Sequence, residues 1–237
     1  MRAEDLKGWL AAAKRDGTER DKRVKDGGVR EEDATPTEAE GHWGRVVELV
    51  QTAFRDGDLA EEATWQAVVL IPKGKGDYRG IGLVEVMWKV VAGILNRRLT
   101  SSITFHDVLH GFRAGRGTGT ATLEAKLLQQ LAALREEVLY VIFLDLTKAY
   151  DALDRSRCLG ILEGYGVGVG ARRLLSNYWR RLTMAARSGG YYGTAFGGER
   201  GVTQGDPLSP TLFNVVVDAV VRHWLDGISN NNDKPFS

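Results

Sequence analysis

Three carboxylates follow one hydrophobic run. Val138 to Leu144 is apolar or aromatic throughout, Asp145 ends the run, and Asp151 and Asp154 come after it. An aspartate closing a rigid element is either the cap of the next helix or a carboxylate held for chemistry, a metal site included. Asp151 and Asp154 can equally open the helix that begins near Arg155. A second group of chemical residues is cationic. Lys73-Gly-Lys-Gly-Asp-Tyr-Arg79 sits between two strand-like runs, where glycines let the backbone approach a phosphate and Lys73, Lys75 and Arg79 neutralise it. The alternative is an ordinary hairpin turn with solvated lysines. The spacing ending in Gly-Lys-Ser/Thr is absent, so the turn is not a P-loop. A third stretch, Gly201-Val-Thr-Gln-Gly-Asp-Pro-Leu-Ser-Pro210, is a stiff loop that presents Gln204 and leads into a helix.

Two further patterns carry less. His110 to Thr120 is a glycine and arginine loop whose Gly117-Thr118-Gly119 does not complete a dinucleotide fingerprint, and no buried strand leads into it. His106 and His110 lie at helical spacing for a metal, but no further histidine or cysteine accompanies them, which favours a loop or core role.

The elements that position these residues follow from periodicity. Val138–Leu144 reads as a strand buried on both faces. Trp65 to Pro72 reads as a strand and Ile81 to Val84 as its continuation beyond the turn. Trp43, Val46, Val47, Val50 and Phe54 mark one amphipathic helix. Met87, Val90, Val91, Ile94 and Leu95 mark a second, from about Glu85 to Leu99. Leu123, Leu127, Leu131 and Leu134 form the stripe of a third, capped by Thr118 or Thr120 and running to Arg135. Helices are also expected over Cys158–Tyr165 and Arg172–Leu182. A hairpin follows around Ser188-Gly189-Gly190, and a last helix starts at Ser209-Pro210 and runs through Phe213, Val216, Val217, Val220 and Trp224.

Composition sets outer bounds. The 237 residues are 43% apolar, enough for a sizeable core, and the single cysteine, Cys158, excludes an internal disulfide framework. No apolar run has signal-peptide or membrane-spanning character, so an intracellular setting without a membrane partner is expected, nucleus and cytoplasm being equally open. Net charge is +1, which argues neither for nor against a nucleic-acid partner, since an average can hide a local basic groove. Residues 1–41 are charged and read as a flexible arm.

Taken in order, four segments resemble the fingers and palm of a reverse transcriptase, especially those of non-LTR retrotransposons and group II introns. They are VVLIPKGKGDYRGIGL (Val68–Leu83), HGFRAGRGT (His110–Thr118), FLDLTKAYD (Phe143–Asp151) and GVTQGDPLSPTLFN (Gly201–Asn214). Gly80 stands where that family usually has proline. The resemblance implies an α+β fold: helices on an antiparallel palm sheet, with fingers over 42–136, a partial palm over 137–228 and a polar tail over 229–237. It implies RNA-templated DNA synthesis, transferring a nucleotide from dNTP to the 3′-hydroxyl of a DNA or RNA primer on an RNA template, with two Mg²⁺ ions (Mn²⁺ a possible substitute). Asp145 would be catalytic and bridge both ions, and the Leu146 backbone carbonyl would hold one. Tyr150 would be the steric gate against a 2′-hydroxyl. Lys73, Lys75 and Arg79 would clamp the triphosphate, and Gln204 and Gly205 would line the nucleotide pocket. Arg113, Arg116 and Asn214 would contact nucleic acid, and Asp151 would serve structure.

The resemblance also sets an expectation of incompleteness. The family's Tyr/Phe-x-Asp-Asp hairpin has no counterpart, because no two aspartates are adjacent in this chain, and no thumb follows. Asp218 and Asp226 lack that hairpin context. The chain is therefore expected to be a fragment without activity of its own. The alternatives are a catalytically dead remnant that binds RNA or an RNA–DNA duplex, and an RNA-dependent RNA polymerase, against which Tyr150 speaks.

Overall fold

A computed structural model describes residues 36–231, apart from 75, 76 and 189. The first element is helix α1 (Pro36–Asp56), which begins inside the stretch expected to be an arm; residues 1–35 of that arm lie outside the described residues. After a short 3₁₀ turn at Glu61–Thr64 come strands β1 (Trp65–Gly74) and β2 (Asp77–Val84), joined in an antiparallel ladder that pairs Gln66 with Val84 and Ile71 with Arg79. Helix α2 (Val86–Ser102) buries Trp88, Val90, Val91, Ile94, Leu95 and Leu99 and leaves Lys89, Arg97 and Arg98 outside, as its period requires. Helix α3 (Thr118–Leu134) is next, then the one-turn α4 (Ala149–Ala152), α5 (Arg155–Gly164) and α6 (Val169–Arg181). Strands β3 (Thr183–Ser188), β4 (Tyr191–Tyr192) and β5 (Phe196–Gly197) precede the long α7 (Ser209–Asn231).

The sheet order is β2-β1-β3-β4, with β5 also on β3. It is mixed and not antiparallel throughout, because β1 and β3 run parallel from Trp65 opposite Thr183 to Val69 opposite Arg187. The α+β class stands. The sheet nevertheless crosses the expected fingers–palm boundary at 136/137, since β1 and β2 precede it and β3 to β5 follow. The apolar core gathers Val50, Val91, Leu95, Leu162, Leu174, Leu175, Leu212 and Val215 from α1, α2, α5, α6 and α7. Trp88 and Tyr178 stack within it, 3.4 Å between centroids and 7° from parallel.

Two sequence expectations are corrected, and the last helix covers a polar residue. Val138–Leu144 is not a buried strand: it has no ladder partner among the described residues, and Phe143 and Leu144 are 93% and 89% exposed. A strand exists through its hydrogen-bonded neighbour, and apolar composition does not supply one. The α3 stripe is open in the same way, with Leu123, Leu127, Leu131 and Leu134 all exposed and no residue of that helix buried. On α7 the covered side is Leu212, Val215 and Asp218, while Val220 and Trp224 are exposed. Asp218 on that side takes the Tyr165 hydroxyl, the Arg222 guanidinium and the His106 amide, bonds that allow a carboxylate to be buried there.

These burials separate two substitutions cleanly. Ile142→Lys, on the open run, is expected to change unfolding free energy by no more than about 0.5 kcal/mol. Leu212→Ala, in the core, is expected to lose about 2–5 kcal/mol. Urea titration of both variants checks this, and a large loss from Ile142→Lys would restore the buried-strand reading.

Candidate nucleotide-handling site

β2 is the edge strand, so its outward backbone groups need partners other than a ladder. The loop from Gly201 to Leu208 supplies one: the Gly82 N–H donates to the Gln204 carbonyl at 2.8 Å. This contact demands glycine. A Cβ on Gly205, whose φ is +111°, would lie 2.5 Å from the Gly82 carbonyl oxygen. The other end of the loop is fixed to the segment after Asp145. Gly201 N–H donates to the Leu153 carbonyl at 2.7 Å and Val202 N–H to the Tyr150 carbonyl at 2.9 Å. Gly201 has φ +81°, and a Cβ there would meet the Asp151 backbone at 2.9 Å. Buried Arg155 reinforces this end by donating to the Gly201 carbonyl at 2.8 Å and to the Gly198 carbonyl.

The loop thus holds together three pieces far apart in sequence. Arg79 is exposed on β2, three residues before Gly82. Lys73 is exposed near the end of β1, past the position where Ile71 faces Arg79. Lys75 lies outside the described residues. Half-buried Tyr150 stands on α4, its ring 5.4 Å from that of Phe213 at a tilt of 55°, and burial raises its hydroxyl pKa. Gln204 is half-buried and Gly205 exposed at the tip of the turn.

Asp145 and Leu146 make none of the hydrogen bonds described for this frame. They are exposed and lie outside any helix or strand, and the Asp145 carboxylate accepts the Leu146 N–H at 2.9 Å. Asp151 sits inside α4, and it is Asp154 that caps a helix, accepting the Arg157 N–H at 3.0 Å at the start of α5. Among the described residues no group of three or more His, Cys, Asp or Glu can hold a metal ion. One carboxylate and one carbonyl do not fit a two-ion centre, which needs several hard oxygen donors. His106 and His110 serve the loop: His106 accepts the Val108 N–H, and His110 bridges Thr120 and Glu124 at 2.8 and 2.7 Å.

The three expected nucleic-acid contacts are engaged within the chain. Arg113 donates to the His106 and Leu109 carbonyls, Arg116 pairs with Asp107 at 2.7 Å, and buried Asn214 donates to the Gly111 carbonyl at 2.8 Å. They shape the 106–116 loop. Two residues outside the expected set also hold this frame. Asp206 is buried, with its carboxylate accepting from Trp88 Nε1 at 2.6 Å and the Leu208 N–H at 2.8 Å. Arg155 is the other, and nothing in its local pattern marks it, because its acceptors, the Trp179, Gly198 and Gly201 carbonyls, all lie more than twenty residues further on.

Against this geometry the comparisons are specific. Residues 71–232 match the family described as "Reverse transcriptase (RNA-dependent DNA polymerase)", which covers the edge strand, the Asp145 segment and the Gln204 loop. The chain belongs to the reverse transcriptase family. It is 30% identical, over 76% of its length, to the Retrovirus-related Pol polyprotein from type-2 retrotransposable element R2DM of Drosophila melanogaster. It is 28% identical over 73% of its length to the Retrovirus-related Pol polyprotein from type-1 retrotransposable element R2 of Popillia japonica. A "Reverse transcriptase-like protein" of Chlamydomonas reinhardtii is 29% identical over 75% of the chain. The chain spans only 17%, 25% and 47% of these three relatives. The two insect relatives carry the retrotransposon side of the resemblance. Among the described residues no helix is long and apolar enough to cross a membrane.

Asp206 gives this site a pH signature. Burial pushes its carboxyl up to about 6, against the pull of the Leu208 and Trp88 N–H groups, which favour the anion. A raised carboxyl favours the folded state most when protonated, so its contribution is full below the ordinary carboxylate range and lost as pH rises through about 6. The unfolding free energy of the wild-type chain minus that of Asp206→Asn is expected to fall between about pH 4 and about pH 7. Urea titrations across that range check it, and a flat difference contradicts it.

Proposed function

We propose that this chain supplies the nucleotide-binding part of an RNA-templated DNA polymerase. In that reaction the primer 3′-oxygen bonds to the α-phosphorus of a dNTP as pyrophosphate leaves. Arg79 and Lys73, with Lys75, clamp the triphosphate from the exposed hairpin, Arg79 by paired N–H donors and the lysines as point charges. Tyr150 stands under the sugar and excludes a 2′-hydroxyl. Gln204 and Gly205 form the floor on which the nucleotide rests. The observation that carries the reading is the pair of backbone bonds from one loop, Gly82 to Gln204 and Val202 to Tyr150, which joins the basic strand to the tyrosine. RNA template and a DNA or RNA primer are the nucleic-acid partners.

Divalent ions serve this family's chemistry, and the proposed pair is two Mg²⁺, for which Mn²⁺ can substitute. Asp145 and the Leu146 carbonyl are proposed as only part of their donor set. By itself the 237-residue chain is therefore expected not to extend a primer. Incubation with a primed RNA template, Mg²⁺ and dNTPs tests this. Extension by the purified chain that disappears in Asp145→Ala would contradict it.

Binding without catalysis is the second reading, favoured by the exposed cations of the β1–β2 hairpin. Filter binding of an RNA–DNA duplex is then expected to weaken steeply between about 50 and 200 mM salt, with a shallower slope in Arg79→Ala. Salt-independent retention, or equal slopes for the two proteins, would remove the hairpin from the interface.

A further inference from the structure

Asp206, Trp88, Tyr178, Gln66 and Gly82 close a ring of contacts around the Gln204–Gly205 turn. The Asp206 carboxylate accepts the Trp88 indole N–H at 2.6 Å. The Trp88 ring stacks on Tyr178, and the Tyr178 hydroxyl accepts from the Gln66 side-chain amide. Gln66 lies on β1 beside Gly82 of β2, close enough that a Cβ on Gly82 would sit 3.0 Å from its Oε1. Gly82 in turn donates to the Gln204 carbonyl, two residues from Asp206. Trp88, Tyr178, Gln66 and Asp206 are all buried.

Elementary energetics identifies the member that decides the geometry. The turn has one backbone bond to β2, and a neutral bond of that kind contributes about 1 kcal/mol, too little to hold a glycine-rich turn in one place. The bond from Trp88 to the Asp206 carboxylate is charge-assisted, and such bonds are typically about twice as strong. It also anchors to α2, whose neighbours Val91, Leu95 and Leu99 are fixed in the core. The second oxygen of Asp206 takes the Leu208 N–H, so the same carboxylate fixes the start of α7.

We propose that Asp206 is the positioning residue of the nucleotide pocket: through Trp88 it sets the Gln204–Gly205 turn against Gly82, and so fixes the floor relative to Arg79. The proposal rests on the reading of that turn as nucleotide-binding. Asp206 touches no substrate itself. Its carboxylate takes the Trp88 indole N–H from α2, and on α6 burial, with the nearby Asp206 charge adding to it, raises the Tyr178 hydroxyl pKa.

Two substitutions test it in the full chain. Asp206→Ala removes both acceptors, while Trp88→Phe keeps an aromatic ring against Tyr178 and removes the N–H. Hydrogen–deuterium exchange of the Gly82 amide reads whether the turn is seated, with the α2 amides of Val91 and Leu95 as the internal reference. Both variants are expected to speed Gly82 exchange by about tenfold or more while the α2 amides change far less. Should Asp206→Ala fail to fold, Trp88→Phe alone carries the decision. Unchanged Gly82 exchange in Trp88→Phe, or an equal acceleration of Gly82 and the α2 amides, overturns the proposal. Equilibrium binding of dATP runs in parallel. Wild type binding dATP and Trp88→Phe binding it about tenfold more weakly supports the positioning role, and equal affinity overturns it. Wild type that binds no dATP overturns the nucleotide-pocket reading, while the exchange result still decides whether Asp206 seats the turn.

Discussion

The arrangement depends on one close approach of two backbones. Gly82, on the free edge of the sheet, donates to Gln204 at 2.8 Å, and no side chain larger than hydrogen fits at Gly205 facing it. An edge strand with unpaired groups invites pairing with something, and here a loop of the same chain takes that place. The loop covers the edge and at the same time presents a polar side chain beside the basic strand. Because the other end of the loop is bonded to Tyr150 and Leu153, the edge strand and the segment after Asp145 cannot move independently without breaking buried bonds.

The interior adds a polar ring to this frame. A charged carboxylate, an indole, a phenol and an amide are buried together, each with a hydrogen bond, and only Gln66 Oε1 lacks one among the described residues. Such a ring stabilises little compared with an apolar core of the same volume, but it fixes one register, because any shift leaves a buried donor or acceptor empty. Asp218 does the same for the far side of α7. Burial would raise its carboxyl, but the Tyr165 hydroxyl, the Arg222 guanidinium and the His106 amide outweigh that and hold it low. Cys158, by contrast, is an inert core residue whose thiol burial pushes up to about 12.

What was legible in the sequence was what local period and turn chemistry determine. The β1–β2 hairpin, α2 with its buried stripe, and the Ser209-Pro210 start of α7 all follow from residues within one turn or one ladder. The motif order also pointed to the right family. What misled was apolar content taken as burial. Val138–Leu144 and the α3 leucines are hydrophobic without being covered among the described residues, since burial is a property of a pair of surfaces and one sequence segment states only half of it. Asn214, Arg113 and Arg116 stand in the right motifs, and the bonds their donors make to the 106–116 loop are not readable from those motifs alone. The bond from Trp88 to Asp206 joins residues 118 apart, and no local pattern announces it.

The most direct test of this account is a nuclear Overhauser experiment on ¹⁵N-labelled chain in solution. It would read whether the Gly82 amide proton lies beside the α-protons of Gly205, and whether the Val202 amide lies beside Tyr150. Both contacts are predicted, because the loop is bonded to β2 at one end and to α4 at the other. Assigned Gly82 and Val202 amides with neither cross-peak would mean that the loop does not join the basic strand to the tyrosine, and the site would have no common frame.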